Sequence, residues 1–104
     1  MENFNGLTPA ETERLALLAE ECSEVVQVIG KVLRHGYDST HPFGHETNRE
    51  LLDKELGHIE YARVLMVNNN DIDTENQEAA FEEKAKTIKP YLHHQDTKGE
   101  GEKQ

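Results

Sequence analysis

The sequence predicts an all-α fold. Three observations carry this reading: apolar residues recur at steps of three and four, a capping-box pattern occurs three times, and no segment alternates with the period of two that a strand requires. We therefore expect a bundle of three to four helices, one all-α domain over residues 1–92, completed by oligomerisation. Residues 93–104, polar and without period, read as a disordered tail.

The first helix begins at Pro9, because Thr8 offers an N-cap hydroxyl, Pro9 the first helical φ and Glu11 the reciprocal carboxylate. Leu15, Leu18, Cys22, Val25, Ile29 and Val32 form its apolar stripe, with Cys22 as packing, and His35-Gly36 supplies the stop. The segment is one helix of about 25 residues or two shorter ones end to end. Residues 36–46, with two glycines and Pro42, form a loop long enough to raise the odds of a role at a site.

Thr47 and Glu50 repeat the capping box, and a second helix from about Asn48 to Val67 carries Leu51, Leu52, Leu56, Ile59, Ala62 and Met66 as its stripe. The run Asn68 to Asp71 is a turn, and Thr74 with Gln77 reads as a third capping box. A shorter helix with Phe81, Ala85 and Ile88 follows, ended by Pro90.

Of the 104 residues only 35% are hydrophobic and 6% aromatic, so the core is small and association with further copies, as a homodimer or homotetramer, is a natural remedy. A net charge of -10 and a pI near 4.9 argue against general binding to nucleic acid or an anionic membrane, both of which need cationic stripes. Nothing approaches the roughly 18 apolar residues of a membrane span. The single cysteine cannot form an internal disulfide, and MENFNG lacks the form of a secretion signal, so we expect a cytoplasmic protein.

With 16 glutamates in the chain, the pattern E-E-x-x-E of Glu20, Glu21 and Glu24 arises by chance about one time in three, so position has to decide its meaning. At about 100° per residue, Leu17, Glu21, Glu24, Val28 and His35 fall on nearly one line beside the apolar stripe, whereas Glu20 lies toward the polar side. On the second helix Glu55 sits in the apolar arc and His58 at its edge, while Glu50, Asp53 and Glu60 lie on the far side.

Two helices thus each present a pair at spacing i, i+3 on a packing face. Burying unpaired carboxylates costs several kcal/mol each, so these acids need cations. Side chains at i and i+3 lie about 5 to 6 Å apart and packed helix axes about 8 to 10 Å apart, so Glu21, Glu24, Glu55 and His58 can share one pocket. Such a set suits Mg²⁺, with Mn²⁺ also possible. Ion pairs with Lys or Arg of another helix or subunit are the alternative.

The residues EECSE followed by ELGH, in an acidic helical chain of this size, resemble the MazG-like all-α nucleoside triphosphate pyrophosphohydrolases, whose pattern is E-E-x-x-E, a linker, then E-x-x-D. The similarity covers about residues 15–92, including the turn and last helix. It implies Mg²⁺-dependent hydrolysis between the α and β phosphates, giving a monophosphate and pyrophosphate. Carried over, Glu21, Glu24 and Glu55 are metal ligands, Glu24 is part of the catalytic machinery, and Glu20 is a further ligand or the group that orients water.

Two departures stand out: 30 residues separate Glu24 from Glu55, and His58 occupies the place of the final Asp. Imidazole suits Mn²⁺, Fe²⁺ or Zn²⁺ better than Mg²⁺. His58 is a metal ligand, a phosphate contact, a proton-transfer group or a hydrogen-bonded core histidine, and its presence opens the alternative of a nucleotide-binding module with weakened or lost catalysis.

Cations for phosphate are to be sought among Lys31, Arg34, His35, Arg49, Lys84 and Lys89, with Lys31, Arg34 and Lys84 as the substrate-binding set. His41 and His45 in the loop are a weaker metal pair, and His93 with His94 belong to the tail.

Overall fold

The computed structural model describes residues 4–95, and these are helical: α1 (Pro9–His35), α2 (Asn48–Asn68), α3 (Thr74–Thr87) and a 3-10 turn, Lys89–Tyr91. No strand occurs among the described residues, whose one extended pairing is an isolated bridge between Thr40 and Thr47. The all-α expectation holds. The chain divides at Asp71/Ile72 into two compact units, the first built on α1 and α2, the second on α3 and the 3-10 turn. Residues 93–95 of the expected tail are exposed and non-helical, and 96–104 lie outside the described residues.

Local chemistry sets the helix starts. The Thr8 hydroxyl accepts from the Glu11 N–H at 3.1 Å while the Thr8 N–H donates to the Glu11 carboxylate at 2.8 Å, and Thr47 with Glu50 repeats this at 3.1 and 2.9 Å. α1 is a single helix that ends at Gly36, whose φ of +88° is unfavourable for a residue with a Cβ and whose N–H reaches the Val32 carbonyl. The third capping box does not form. Asp73 is the cap of α3, its carboxylate accepting from the Glu75 N–H at 2.9 Å, and Thr74 is the first helical residue. The charged Asp carboxylate takes the position with the added benefit of the helix dipole.

α1 and α2 pack as an antiparallel hairpin, closed at one end by the 36–47 loop and at the other by Arg14 and Asp71. That pair is bidentate, Nε to Oδ2 at 2.6 Å and the second guanidinium nitrogen to Oδ1 at 3.0 Å, and joins residues 57 positions apart. Arg14 holds the Asp71 carboxyl below its ordinary pKa range, chiefly through these hydrogen bonds. At the loop end the Asn48 N–H donates to the Ser39 carbonyl, the Arg49 N–H to the Tyr37 carbonyl, and the buried Asn48 side chain to the Gly36 carbonyl.

The face that α1 turns to α2 differs from the predicted stripe. Leu18, Val25 and Val32 are half-buried, yet Leu15 and Ile29 are each 42% exposed and Cys22 is exposed, so Cys22 is not packing. The buried residue of α1 is Val28, on the line of Leu17, Glu21 and Glu24. α1 is apolar round most of its circumference, so periodicity alone leaves its rotation undetermined. On α2 the buried apolar side chains are Ala62 and Met66, while Leu56, expected inside, is 49% exposed beside the half-buried Glu55. In the second unit Ala85 and Ile88 are half-buried and Phe81, expected to pack with them, is 70% exposed.

With Val28, Ala62 and Met66 as the buried apolar residues, Met66→Ala is expected to cost about 2 to 5 kcal/mol and Leu56→Ala far less. Thr47→Ala is expected to cost about 1 kcal/mol through its cap. Urea denaturation of the three variants checks the order.

Candidate metal centre

The antiparallel register of the hairpin sets Glu21 and Glu24 of α1 against Glu55 and His58 of α2. Each of these four residues offers one ligating atom, and the four atoms all lie within 4.8 Å of one another. That spacing lets the four side chains close on a single divalent ion, for which the carboxylate oxygens would supply hard ligands of the kind Mg²⁺ prefers. Three carboxylates and one imidazole also fit Mn²⁺, whose tolerance for nitrogen exceeds that of Mg²⁺.

Electrostatics inside the cluster point the same way. His58 Nδ1 is 3.2 Å from Glu55 Oε1 and 3.4 Å from Glu21 Oε1. The side chains of Glu21 and Glu55 are only 16% and 14% exposed, whereas that of His58 is 49% exposed. Glu21 Oε1 is buried and makes no hydrogen bond. A side-chain hydrogen bond to Glu55, then the Glu55 charge, burial and the charges of Glu21 and Glu20, push the Glu24 carboxyl above its ordinary pKa.

Protonation relieves this crowding with one positive charge, and a divalent ion does so with two. The ion pairs of Arg14, Arg49, Lys54 and Arg63 go to Asp71, Asp38, Glu46 and Glu60, away from the cluster.

The other expected site residues are found in both units. Glu20 is exposed and outside the set of four, with its backbone carbonyl taken by the Ser23 hydroxyl. Lys31 and Arg34 share the wall of a cavity of about 470 Å³ near the end of α1, together with His35 and His41. Lys84 is an exposed residue of α3, in the second unit.

Sequence reasoning missed Asn48 as part of that cavity wall, and treated His41 only as a metal pair with His45. The signal was the length of the 36–46 loop, which brings His41 back over α1. His93 and His94 are exposed.

The raised Glu24 pKa fixes the sign of a pH effect. The folded state keeps this proton to a higher pH than the unfolded chain, whose ordinary value is 4.5, so in chelator the site loses stability as pH rises above that value. Glu24→Gln removes the loss. The variant is expected to gain on the wild type as pH rises from 4.5 in EDTA until the folded-state carboxyl has ionised, beyond which the difference is constant, and Mg²⁺ or Mn²⁺ is expected to stabilise the wild type more than the variant, both read by urea denaturation.

Comparison with family models, curated proteins and solved structures finds no match to this chain.

Proposed function

We propose that this protein is a metal-dependent nucleotide pyrophosphohydrolase of the MazG-like kind, cleaving a nucleoside triphosphate or related nucleotide between its α and β phosphates. The observation that carries the reading is the convergence of Glu21, Glu24, Glu55 and His58 within 4.8 Å, in the motif order E-E-x-x-E then E-x-x-H. A divalent ion in this cluster supplies charge neutralisation for the phosphates and lowers the pKa of water.

The chain's own groups then have defined tasks. Glu21, whose buried Oε1 makes no hydrogen bond, and Glu55 would hold the ion, joined by Glu24 in its ionised form. Glu20, one residue before the cluster and in solvent, takes the proton of the attacking water. The water oxygen bonds to the α phosphorus, the α–β anhydride bond breaks, and the bridging oxygen leaves with its electron pair as part of pyrophosphate. His58, half in solvent, would use Nδ1 either as a ligand to the ion or, where it carries the ring proton, to hold the Glu55 carboxylate 3.2 Å away.

A second reading rests on His58 itself. An imidazole in place of an acid removes one negative charge from the cluster, which leaves a nucleotide-binding module if the ion is then held too weakly for turnover. A panel of nucleotides with Mg²⁺ and Mn²⁺, followed by chromatography of products, separates the two. The hydrolase gives monophosphate and pyrophosphate, and Glu24→Gln lowers turnover by at least about 100-fold, since even groups that merely support ligands account for 10- to 100-fold. The binding module gives ligand-dependent thermal stabilisation without product, and gains turnover in His58→Asp. No turnover in either protein sinks the enzyme reading.

The assembly proposed for this enzyme is a homodimer through α1. Leu15, Ala19, Cys22, Val26, Ile29 and Leu33 form a four-three-four-three-four series, all of it exposed. The series reads the same in both directions about residue 24, so an antiparallel second copy sets Leu15 against Leu33 and Cys22 against Val26. Glutamates crowd the first half of α1 and Lys31, Arg34 and His35 the second, so this orientation joins acidic to basic halves. Light scattering is expected to show a dimer, and Val26→Cys is expected to oxidise to a covalent dimer with Cys22. A monomer at micromolar concentration overturns the pairing.

A further inference from the structure

The cavity beside the end of α1 is a concentration of positive charge in an acidic protein. Lys31, Arg34 and His35 of α1, His41 of the loop, and Asn48 and Leu51 at the start of α2 line its volume of about 470 Å³, within the usual range of about 300 to 1,000 Å³ for ligand cavities. No Asp or Glu is among its described lining residues, although the chain holds 21 of them.

Its position relates it to the acid cluster. Lys31 follows Glu24 by two turns, about 10 Å along α1, and continues the line through Val28; Leu51 precedes Glu55 by about one turn, some 6 Å. Cavity and cluster therefore succeed one another along the same side of the hairpin, with the long side chains of Lys31 and Arg34 on the cavity wall.

Side chains, not helix ends, set its preference for anions. α1 ends here with about half a negative charge and α2 begins here with about half a positive one, so the two dipoles largely cancel. The first N–H groups of α2 are also taken, by the carbonyls of Ser39 and Tyr37 and by the Thr47 hydroxyl. The full charges of Lys31 and Arg34 remain. His41 accepts the Phe43 N–H at Nδ1, at 3.1 Å, which leaves its ring proton on Nε2 as a donor.

We infer that this cavity is a metal-independent anion subsite that takes the terminal phosphates of the substrate. Its role toward a leaving pyrophosphate rests on the hydrolase reading above; its affinity for the anion does not. The subsite makes pyrophosphate the tighter of the two products and a competitor of the substrate, and it selects nucleotides with a polyphosphate chain over monophosphates.

The test is calorimetric titration of the full chain with inorganic pyrophosphate in EDTA. Saturable binding is expected, weakened by about 10-fold or more in Lys31→Gln and in Arg34→Gln, and retained or tightened in Glu24→Gln. A nucleoside monophosphate is expected to bind at least about 10-fold more weakly than pyrophosphate, the difference one charge-assisted contact makes. Circular dichroism confirms that the variants are folded; both changes are at exposed positions. Pyrophosphate binding that needs metal, that survives both substitutions, or that is matched by the monophosphate overturns the subsite. Failure of the hydrolase reading would show instead as absent turnover with metal, leaving the EDTA titration intact.

Discussion

Three carboxylates held against one another where two helices meet are the constraint on which this structure turns. Residues at a helix–helix contact are ordinarily apolar, because the contact is stabilised by removing hydrocarbon from water. Here the hairpin brings Glu21 and Glu24 to Glu55 at that contact, and the Glu24 carboxyl holds its proton above the usual range because Glu55 is beside it. Such an arrangement works against folding unless something positive occupies it, and the partial answer inside the chain is the His58 ring, 3.2 Å from Glu55 and 3.4 Å from Glu21.

The rest of the hairpin supplies what the middle withholds. At one end Arg14 grips Asp71 with two hydrogen bonds, at the other the loop is tied to the first residues of α2, and Val28, Ala62 and Met66 form a short apolar seam. Each closure fixes the register of α1 on α2. A slip of one turn, about 5.4 Å, takes the four ligating atoms out of reach of one ion. Precision at the cluster thus comes from elements that are not part of it, the usual relation between a preorganised site and its support.

Much of the fold was legible, for local reasons. Thr8 with Glu11 and Thr47 with Glu50 mark helix starts because two backbone donors and two side-chain acceptors satisfy one another within four residues, and no distant contact enters. The third start was misread by one residue: Asp73 stands next to Thr74 and competes for the same donors, a choice that geometry makes. The convergence of Glu21, Glu24, Glu55 and His58 was legible because i, i+3 spacing on two packing helices leaves few other outcomes. His41 and Asn48 were not legible as neighbours of Lys31 and Arg34, since the path of an aperiodic loop follows from hydrogen bonds it makes only after α1 and α2 have met.

The amino-acid order alone determined the all-α class, the limits of α1 and α2 and which acids share a helix face, since each depends on interactions spanning a turn or two. Tertiary structure alone decided how α1 is rotated. An apolar surface round most of that helix allows several rotations of similar burial, and the one realised turns the acid line with Val28 inward and leaves Leu15, Cys22 and Ile29 outside. Rotation is settled by the sum of long-range contacts, the Arg14–Asp71 grip among them, and no local pattern records that sum.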